Sequence, residues 1–213
     1  MRDIYVVRHA ESEANVDRRF DSTPPGAPLT ALGALQARRL ADLLTGWDLA
    51  PTVVYASPFR RTQETASAFA ARIGARIESE GALREVEVGA WDGRGPEQLS
   101  ADPVYQRWRI EPEIAPPGGE SLEAVLARTR TLISSLCAEA PPAQPLVLFT
   151  HQHTLRSLLW HLGRLRDADG RLLGMPNASV LLLESRDGGD GLRLRKIDRT
   201  VHAATGDDRS AAI

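Results

Sequence analysis

The chain has 213 residues, 42% of them hydrophobic and 25% charged, with a formal net charge of −2. That length is enough for one domain with a substantial core, and the composition is that of an ordinary soluble globular protein. The near-neutral balance excludes a global basic field for nucleic acid or an anionic membrane, so any anion site must be a local cluster.

Met1-Arg2-Asp3-Ile4 is charged and leads into the β-branched run Ile4–Val7, a buried strand, so no secretory signal is expected. No apolar run approaches a membrane span, and a cytoplasmic protein is expected. Arg8-His9 follows at the strand exit. Residues 16–28 are polar, carry Pro24, Pro25, Gly26 and Pro28, and read as a loop. Thr30 caps a helix bearing Leu32, Leu35, Leu40, Leu43 and Leu44. Thr52–Ala56 is a short strand. Ser57-Pro58 then fits an N-cap with proline in the first helical position, and Thr62, Ala66, Phe69 and Ile73 form the apolar stripe of that helix. Ala75–Glu78 is a weak strand. Across Leu83–Gly89 glutamates alternate with hydrophobic residues, as on an edge strand.

Residues 89–119 lose periodicity and hold Pro96, Pro103, Pro112, Pro116, Pro117 and Gly118-Gly119. They read as an excursion from the core over the functional face, with a short helix near Tyr105–Arg109. Ser121 caps the clearest helix, with Leu122, Val125, Leu126, Thr129, Leu132, Ile133 and Leu136 at three-and-four spacing. Cys137 lies in that helix as a core residue, and a single cysteine excludes an intramolecular disulfide. Pro141-Pro142 ends the helix. Leu146–Thr150 is a buried strand, His151 follows immediately, and Leu155, Leu158, Leu159 and Leu162 mark another helix. Ser179–Glu184 and Leu192–Ile197 are late strands around the turn Asp187-Gly188-Gly189-Asp190. The tail from about residue 203 reads as frayed.

Alternating strands and helices imply a single α/β domain over residues 1–213, three-layer α/β/α with a mostly parallel central sheet. Ligands in such folds sit beyond the carboxyl ends of the strands. Arg8-His9, Ser57 and His151 each follow a predicted strand, which sends them to one face. Neutral imidazole can accept a phosphoryl group, a guanidinium fork matches phosphate oxygens, and a helix starting after His151 offers free N–H groups to an anion. Arg60 and Arg61 sit in a first helical turn, where cations oppose the dipole at a cost of about 0.3 kcal/mol or more. A bound anion would relieve that, although plain solvation accounts for Arg60. Glu85 and Glu87 are both candidate general acids, and spacing does not choose between them. Only Lys196 is lysine among the 26 basic residues. Coding bias accounts for most of that arginine, and phosphate contacts for a few. His151-x-His153 could be half of a metal site, but no third ligand stands close by, and His161 and His202 have no such arrangement.

Taken together these segments resemble the histidine phosphatase superfamily, also called the phosphoglycerate mutase-like family. Arg8, His9 and Asn15 match its Arg-His-Gly-x-x-x-x-Asn motif. Pro28-Leu29-Thr30 with Leu32-Gly33 and Gln36-Ala37 is similar to the segment that follows. Ser57-Pro58-Phe59-Arg60-Arg61-Thr62 with Thr65-Ala66 matches the second arginine motif and selects Arg61. Leu83-Arg84-Glu85 with Gly89, Trp91 and Gly93 matches the acid segment and selects Glu85. Gly118-Gly119-Glu120-Ser121 is also typical, and Leu148-Phe149-Thr150-His151 with Leu155-Arg156 looks like the second histidine motif. The matches run in order from residue 4 to about 184.

The resemblance implies a metal-independent, cofactor-free phosphomonoester hydrolase working through a phosphohistidine on His9. Arg8, Arg61 and His151 would hold the phosphoryl oxygens, helped by Asn15 and by the backbone N–H of Gln152. Glu85 would protonate the leaving oxygen and then activate water. Ala10 departs from the motif glycine, and Gln152-His153 replaces a small glycine-rich pair. Gln152 would be strained if that position needs positive φ. His153 is either a pocket residue or a surface residue at a helix start. Tyr105, Trp108 and Arg109 are expected to shape a leaving-group pocket, unless Trp108 only anchors the excursion. Residues 94–117 offer only Arg94, Arg107 and Arg109, with no adjacent arginine pair. That points to net hydrolysis, with a cofactor-dependent phosphoglycerate mutase as the alternative and a non-enzymatic phospholigand-binding protein behind it. The expected partner is a small phosphorylated metabolite, without nucleic acid or membrane, and a homodimer stays open.

Overall fold

The computed structural model describes residues 1–47, 49, 51–141, 144–164, 166, 173–186 and 191–205. Strand β1 (Arg2–Arg8) leads into a one-turn helix α1 (Glu13–Val16), then α2 (Ala31–Gly46), β2 (Val53–Ala56), α3 (Arg60–Ile73) and β3 (Arg76–Ser79). The excursion contributes α4 (Pro103–Trp108). The chain closes with α5 (Leu122–Glu139), β4 (Leu146–Thr150), α6 (Gln152–His161), β5 (Val180–Ser185), β6 (Leu192–Asp198) and α7 (Thr200–Thr205). Helix α1 was not expected, because its four residues carry no apolar stripe. It forms where Asn15 Oδ1 accepts from Ser12 N at 3.1 Å and Ser12 Oγ at 3.0 Å.

The six strands form one mixed sheet in the order β3-β2-β4-β1-β5-β6. Pairings β2–β3, β2–β4 and β1–β4 are parallel, while β1–β5 and β5–β6 are antiparallel. The mostly parallel expectation holds for four strands, and the late pair runs the other way. Side-chain alternation feeds two apolar layers. Tyr5, Val7, Val147 and Phe149 pack with Leu40, Leu44 and Phe69 from α2 and α3. Ile4, Val6, Leu146 and Leu148 pack with Leu126, Ile133, Leu155 and Leu158 from α5 and α6. Because helices cover both faces, the central strands read as continuous apolar runs.

Local chemistry sets several boundaries. Thr30 Oγ1 accepts from Gly33 N at 2.9 Å, and Ser121 Oγ accepts from Ala124 N at 3.1 Å, as N-caps do. Ser57 does not cap α3. Its hydroxyl is engaged elsewhere, Phe59 takes the N-cap position, and Arg60 N donates to Pro25 O at 2.7 Å. Residues 84–88 form no strand. The donors of residues 86–88 go to side chains instead: Val86 N to Glu85 Oε1 at 2.9 Å, Glu87 N to Glu120 Oε2 at 3.2 Å, and Val88 N to Ser22 Oγ at 3.4 Å. Cys137 is half-buried at the margin of the α5–α6 layer rather than in its core. Residues 203–205 belong to α7. The expected turn at 187–190, Pro142 and the tail beyond 205 lie outside the described residues.

The excursion packs around a third cluster. Trp91 meets Tyr105 and Trp108 edge-on at 5.5 and 5.6 Å, and Phe20 meets Trp108 at 5.7 Å. Such pairs add about 0.5–1.5 kcal/mol each beyond area burial. Tyr105 and Trp108 are therefore anchors of the excursion, and the expected leaving-group pocket is not built from them.

One glycine fixes how α2 meets the loop after His9. A Cβ on Gly33 would stand 1.9 Å from the backbone oxygen of Glu11. Helix propensity alone favours Gly33→Ala by about 1 kcal/mol. Overpacking against a backbone that cannot give outweighs it, so a net loss of about 1–3 kcal/mol is expected in denaturant melts.

Candidate active site

Parallel register brings the separate segments to one edge. Arg8 lies opposite Thr150 and Ala56 opposite Phe149, so His9, Ser57 and His151 each leave the sheet at the same level. His9 N donates to Thr150 O at 2.9 Å and Ser57 N to Phe149 O at 3.0 Å, which extends the ladder one residue into the loops. The His9 and His151 rings meet edge-on with centroids 5.1 Å apart.

The tautomer of His9 follows from its partners. Nδ1 lies 2.7 Å from Ala10 O, a carbonyl that can only accept, so Nδ1 carries the proton. Arg61 Nε donates to Nε2 at 3.3 Å, which requires a lone pair there. Burial, together with Arg61, His151 and Arg8, holds His9 well below the ordinary imidazole value. The result is a neutral ring with a nucleophilic Nε2 between two cations. Burial pushes Arg8 down to about 10 against the pull of Glu85, which still leaves it charged at neutral pH.

Arg61 is held by a residue that the sequence did not single out. Its Nη1 donates to Asp21 Oδ2 at 2.7 Å, its Nη2 to Asp21 O at 3.0 Å, and its guanidinium stacks 4.5 Å from the Phe59 ring. Arg60 is exposed and pairs with Glu64 at 2.7 Å. His151 Nε2 lies 2.7 Å from Ser57 Oγ and 3.2 Å from Thr62 Oγ1. With Ser57 Oγ or Thr62 Oγ1 donating to Nε2, the proton of the neutral ring sits on Nδ1. Among the described residues that nitrogen has no hydrogen-bond partner.

Asn15 Oδ1 takes donors from Ser12 and from Asn177 Nδ2 at 3.1 Å, so its NH₂ group is what remains for the cleft. Asn177, also missed by sequence, donates to His9 O at 3.1 Å, and Ala178 N reaches the same carbonyl at 3.1 Å. An asparagine just before a late strand carries little signal by itself. Neither departure from the motif is strained. Ala10 and Gln152 are not among the residues with positive φ, Gln152 opens α6, and Ala10 N donates to Thr65 Oγ1 at 3.1 Å.

Arg8, His9, Asn15, Arg61, Glu85, Gln152 and His153 line one narrow cleft. His151 is buried beside His9, its ring edge-on to the nucleophilic face. Glu87 points away and pairs with Arg84 at 3.2 Å, which separates it from Glu85. Glu85 is buried. Desolvation raises its carboxyl, but His153, His151 and the Val86 N–H outweigh it and keep it ionised, well below the usual range. Arg128 and Glu120 brace the segment from behind: Arg128 Nη2 donates to Glu85 O at 3.3 Å and to Glu120 Oε2 at 3.1 Å. His151 and His153 direct their ring nitrogens to different partners, and no group of three or more potential metal-ligating side chains occurs among the described residues.

The profile of the Histidine phosphatase superfamily (branch 1) matches residues 4–198. The chain belongs to the histidine phosphatase superfamily. The glucosyl-3-phosphoglycerate phosphatase of Mycobacterium tuberculosis (strain ATCC 25618 / H37Rv) is 33% identical over 188 residues, covering 84% of this chain and 83% of that one. The probable phosphoglycerate mutase GpmB of Photorhabdus laumondii is 30% identical over 181 residues, covering 83% and 77%. A solved mycobacterial glucosyl-3-phosphoglycerate phosphatase with VO3 superposes at TM-score 0.80 with 31% identity, over 93% of this chain and 98% of that one. A structure of the same phosphatase holds inorganic phosphate. No helix among the described residues of this family member is long and apolar enough to cross a membrane.

Burial of three histidines sets the acid stability of this histidine phosphatase. His9, His151 and His153 are each held below the ordinary value of 6.5, first by desolvation. Below about pH 6.5 the unfolded chain takes up protons that the folded chain refuses, so acid favours unfolding. The thermal midpoint is expected to fall steadily from pH 7 to pH 5, before carboxylates titrate. A flat midpoint across that window would contradict neutral buried rings.

Proposed function

We propose that this phosphatase hydrolyses a small phosphorylated metabolite in the cytoplasm, through a phosphohistidine on His9 and without a metal. The observation that carries this reading is the tautomer of His9: its Nδ1–H is taken by Ala10 O, and its Nε2 lone pair stands beside Arg61 in the cleft. Nε2 attacks phosphorus. Arg8, Arg61, the NH₂ of Asn15 and the Nδ1–H of His151 neutralise the charge on the phosphoryl oxygens, the largest contribution in phosphoryl transfer. The backbone N–H of Gln152 adds to that set at the start of α6. Glu85 gives a proton to the leaving oxygen, then takes one from the water that cleaves the phosphohistidine. Its carboxyl is ionised in the free enzyme, so the proton must come with substrate, whose negative charge raises the carboxyl as it binds.

Hydrolysis is preferred to phosphoglycerate isomerisation because, among the described residues, the arginines of the excursion are engaged locally rather than turned into the cleft. Arg107 pairs with Glu111 at 2.8 Å, Arg94 bonds Gln98 O at 3.1 Å, and Arg109 lies against the Tyr105 ring. Phosphate release across a panel of phosphorylated metabolites tests this, with 3-phosphoglycerate and a glycosylated phosphoglycerate included. Hydrolysis should persist in chelator. Isomerisation of 3-phosphoglycerate faster than hydrolysis of every panel member would establish the mutase instead.

A further inference from the structure

His153 replaces a small residue of the family motif, yet it is buried and built into the site. Its backbone N–H donates to Glu85 Oε1 at 3.3 Å, and its Nδ1 lies 3.3 Å from the same oxygen, an electrostatic contact off hydrogen-bond alignment. Across the ring, Nε2 faces Arg156 Nη1 at 3.4 Å. A guanidinium can only donate, so Nε2 holds the lone pair and the ring proton sits on Nδ1, toward the carboxylate. The ring cannot easily turn away. Trp108 stacks on it with centroids 5.0 Å apart and planes 32° apart, and Arg156 is itself tied to the excursion through Nη2 and Arg109 O at 3.0 Å.

These contacts treat the two carboxylate oxygens differently. Oε1 accepts from Val86 N at 2.9 Å and from His153 N, and it faces His153 Nδ1. Among the described residues no donor reaches Oε2. The carboxylate also lies in the field of Arg8, Arg61 and Arg156.

We propose that His153 is a positioning residue for Glu85, pinning Oε1 with a tautomer locked by Arg156 so that Oε2 alone exchanges the catalytic proton. The proposal rests on Glu85 being the general acid. In the first step the Oε2 proton passes to the leaving oxygen as its bond to phosphorus breaks and the bond from His9 Nε2 forms. In the second, Oε2 takes a proton from water as the water oxygen bonds phosphorus and the phosphorus–nitrogen bond breaks. Trp108 and Arg156 make the acid's aim depend on how the excursion is seated.

Two probes separate aim from fold: glycerol 2-phosphate, whose alkoxide needs a proton, and p-nitrophenyl phosphate, whose phenolate does not. Phosphoenzyme formation is followed by rapid quench. His153→Ala should slow that step about 10- to 100-fold with glycerol 2-phosphate and less than about threefold with the aryl ester, an acid-specific loss. Loss of one donor raises the Glu85 carboxyl, so the limb of the pH profile that it governs should move to higher pH. His153→Asn, which puts an N–H near the Nδ1 position, should recover to within about fivefold of wild type, whereas His153→Gln should not. Equal slowing on both probes, a rise in KM alone, or an Asn variant no better than Ala would overturn the proposal. Glu85→Gln is the control. If it forms phosphoenzyme from glycerol 2-phosphate as fast as wild type, the acid assignment itself fails. If Glu85→Gln is slow and His153→Ala is not, only the positioning role fails.

Discussion

His9→Ala is expected to lower phosphate release by about 10⁴-fold or more, since it removes the imidazole whose Nε2 stands beside Arg61, while the Nε2 atoms of His153 and His151 face Arg156 and Ser57 instead. Arg61 and Arg8 remain, so inorganic phosphate should still bind within about tenfold of wild type. The wild-type enzyme, quenched during turnover, should carry an acid-labile, base-stable phosphoryl label, and the variant should carry none. The fold should survive, because a buried imidazole held neutral by desolvation contributes no ion pair whose loss would strand a charge. A variant that keeps a tenth of the activity, or that still labels, would remove His9 from the chemistry.

Glu85→Gln should cost about 10²- to 10⁴-fold in kcat with alkyl phosphates, the usual range for a general acid or base. The amide oxygen can still accept from Val86 N and His153 N, so the local backbone should hold. Binding should move the other way. Removing a carboxylate from a cleft that receives a phosphoryl dianion should tighten inorganic phosphate or vanadate, read as a lower inhibition constant. Weakened anion binding together with lost turnover would mean that the substitution disturbed the cleft rather than its proton transfer.

Much of the scaffold was legible because two periodicities are strong. Ile4–Val7 and Leu146–Thr150 are apolar on both faces, as buried strands must be, and Thr30 and Ser121 are capping residues ahead of clear helical stripes. The placement of Arg8, His9 and His151 followed from strand exits alone. Choosing Arg61 over Arg60 and Glu85 over Glu87 needed the family motifs, and the structure separates each pair by burial: Arg60 and Glu87 are exposed and paired with charged neighbours. Side chains that bind backbone or other side chains across long separations left no local trace. Glu120 draws residues 84–88 away from a strand, Ser57 serves His151 instead of a helix, and Asp21 and Asn177 hold Arg61 and His9 O from stretches without periodicity. Trp108 was legible as important but not in kind, because an aromatic in an irregular segment fits a pocket wall and an anchor equally well.

The tie between Asn177 and the carbonyl of His9 spans 168 positions of sequence, and Arg8 adds a second tie to Met175 O. Contacts of that range close late in folding, after the local helices have formed. During synthesis the loop bearing His9 therefore emerges first and waits, unlatched, until Met175 and Asn177 follow it. A chain cut before Met175 would hold every residue of the opening motif yet lack both ties, leaving the loop after β1 without its latch.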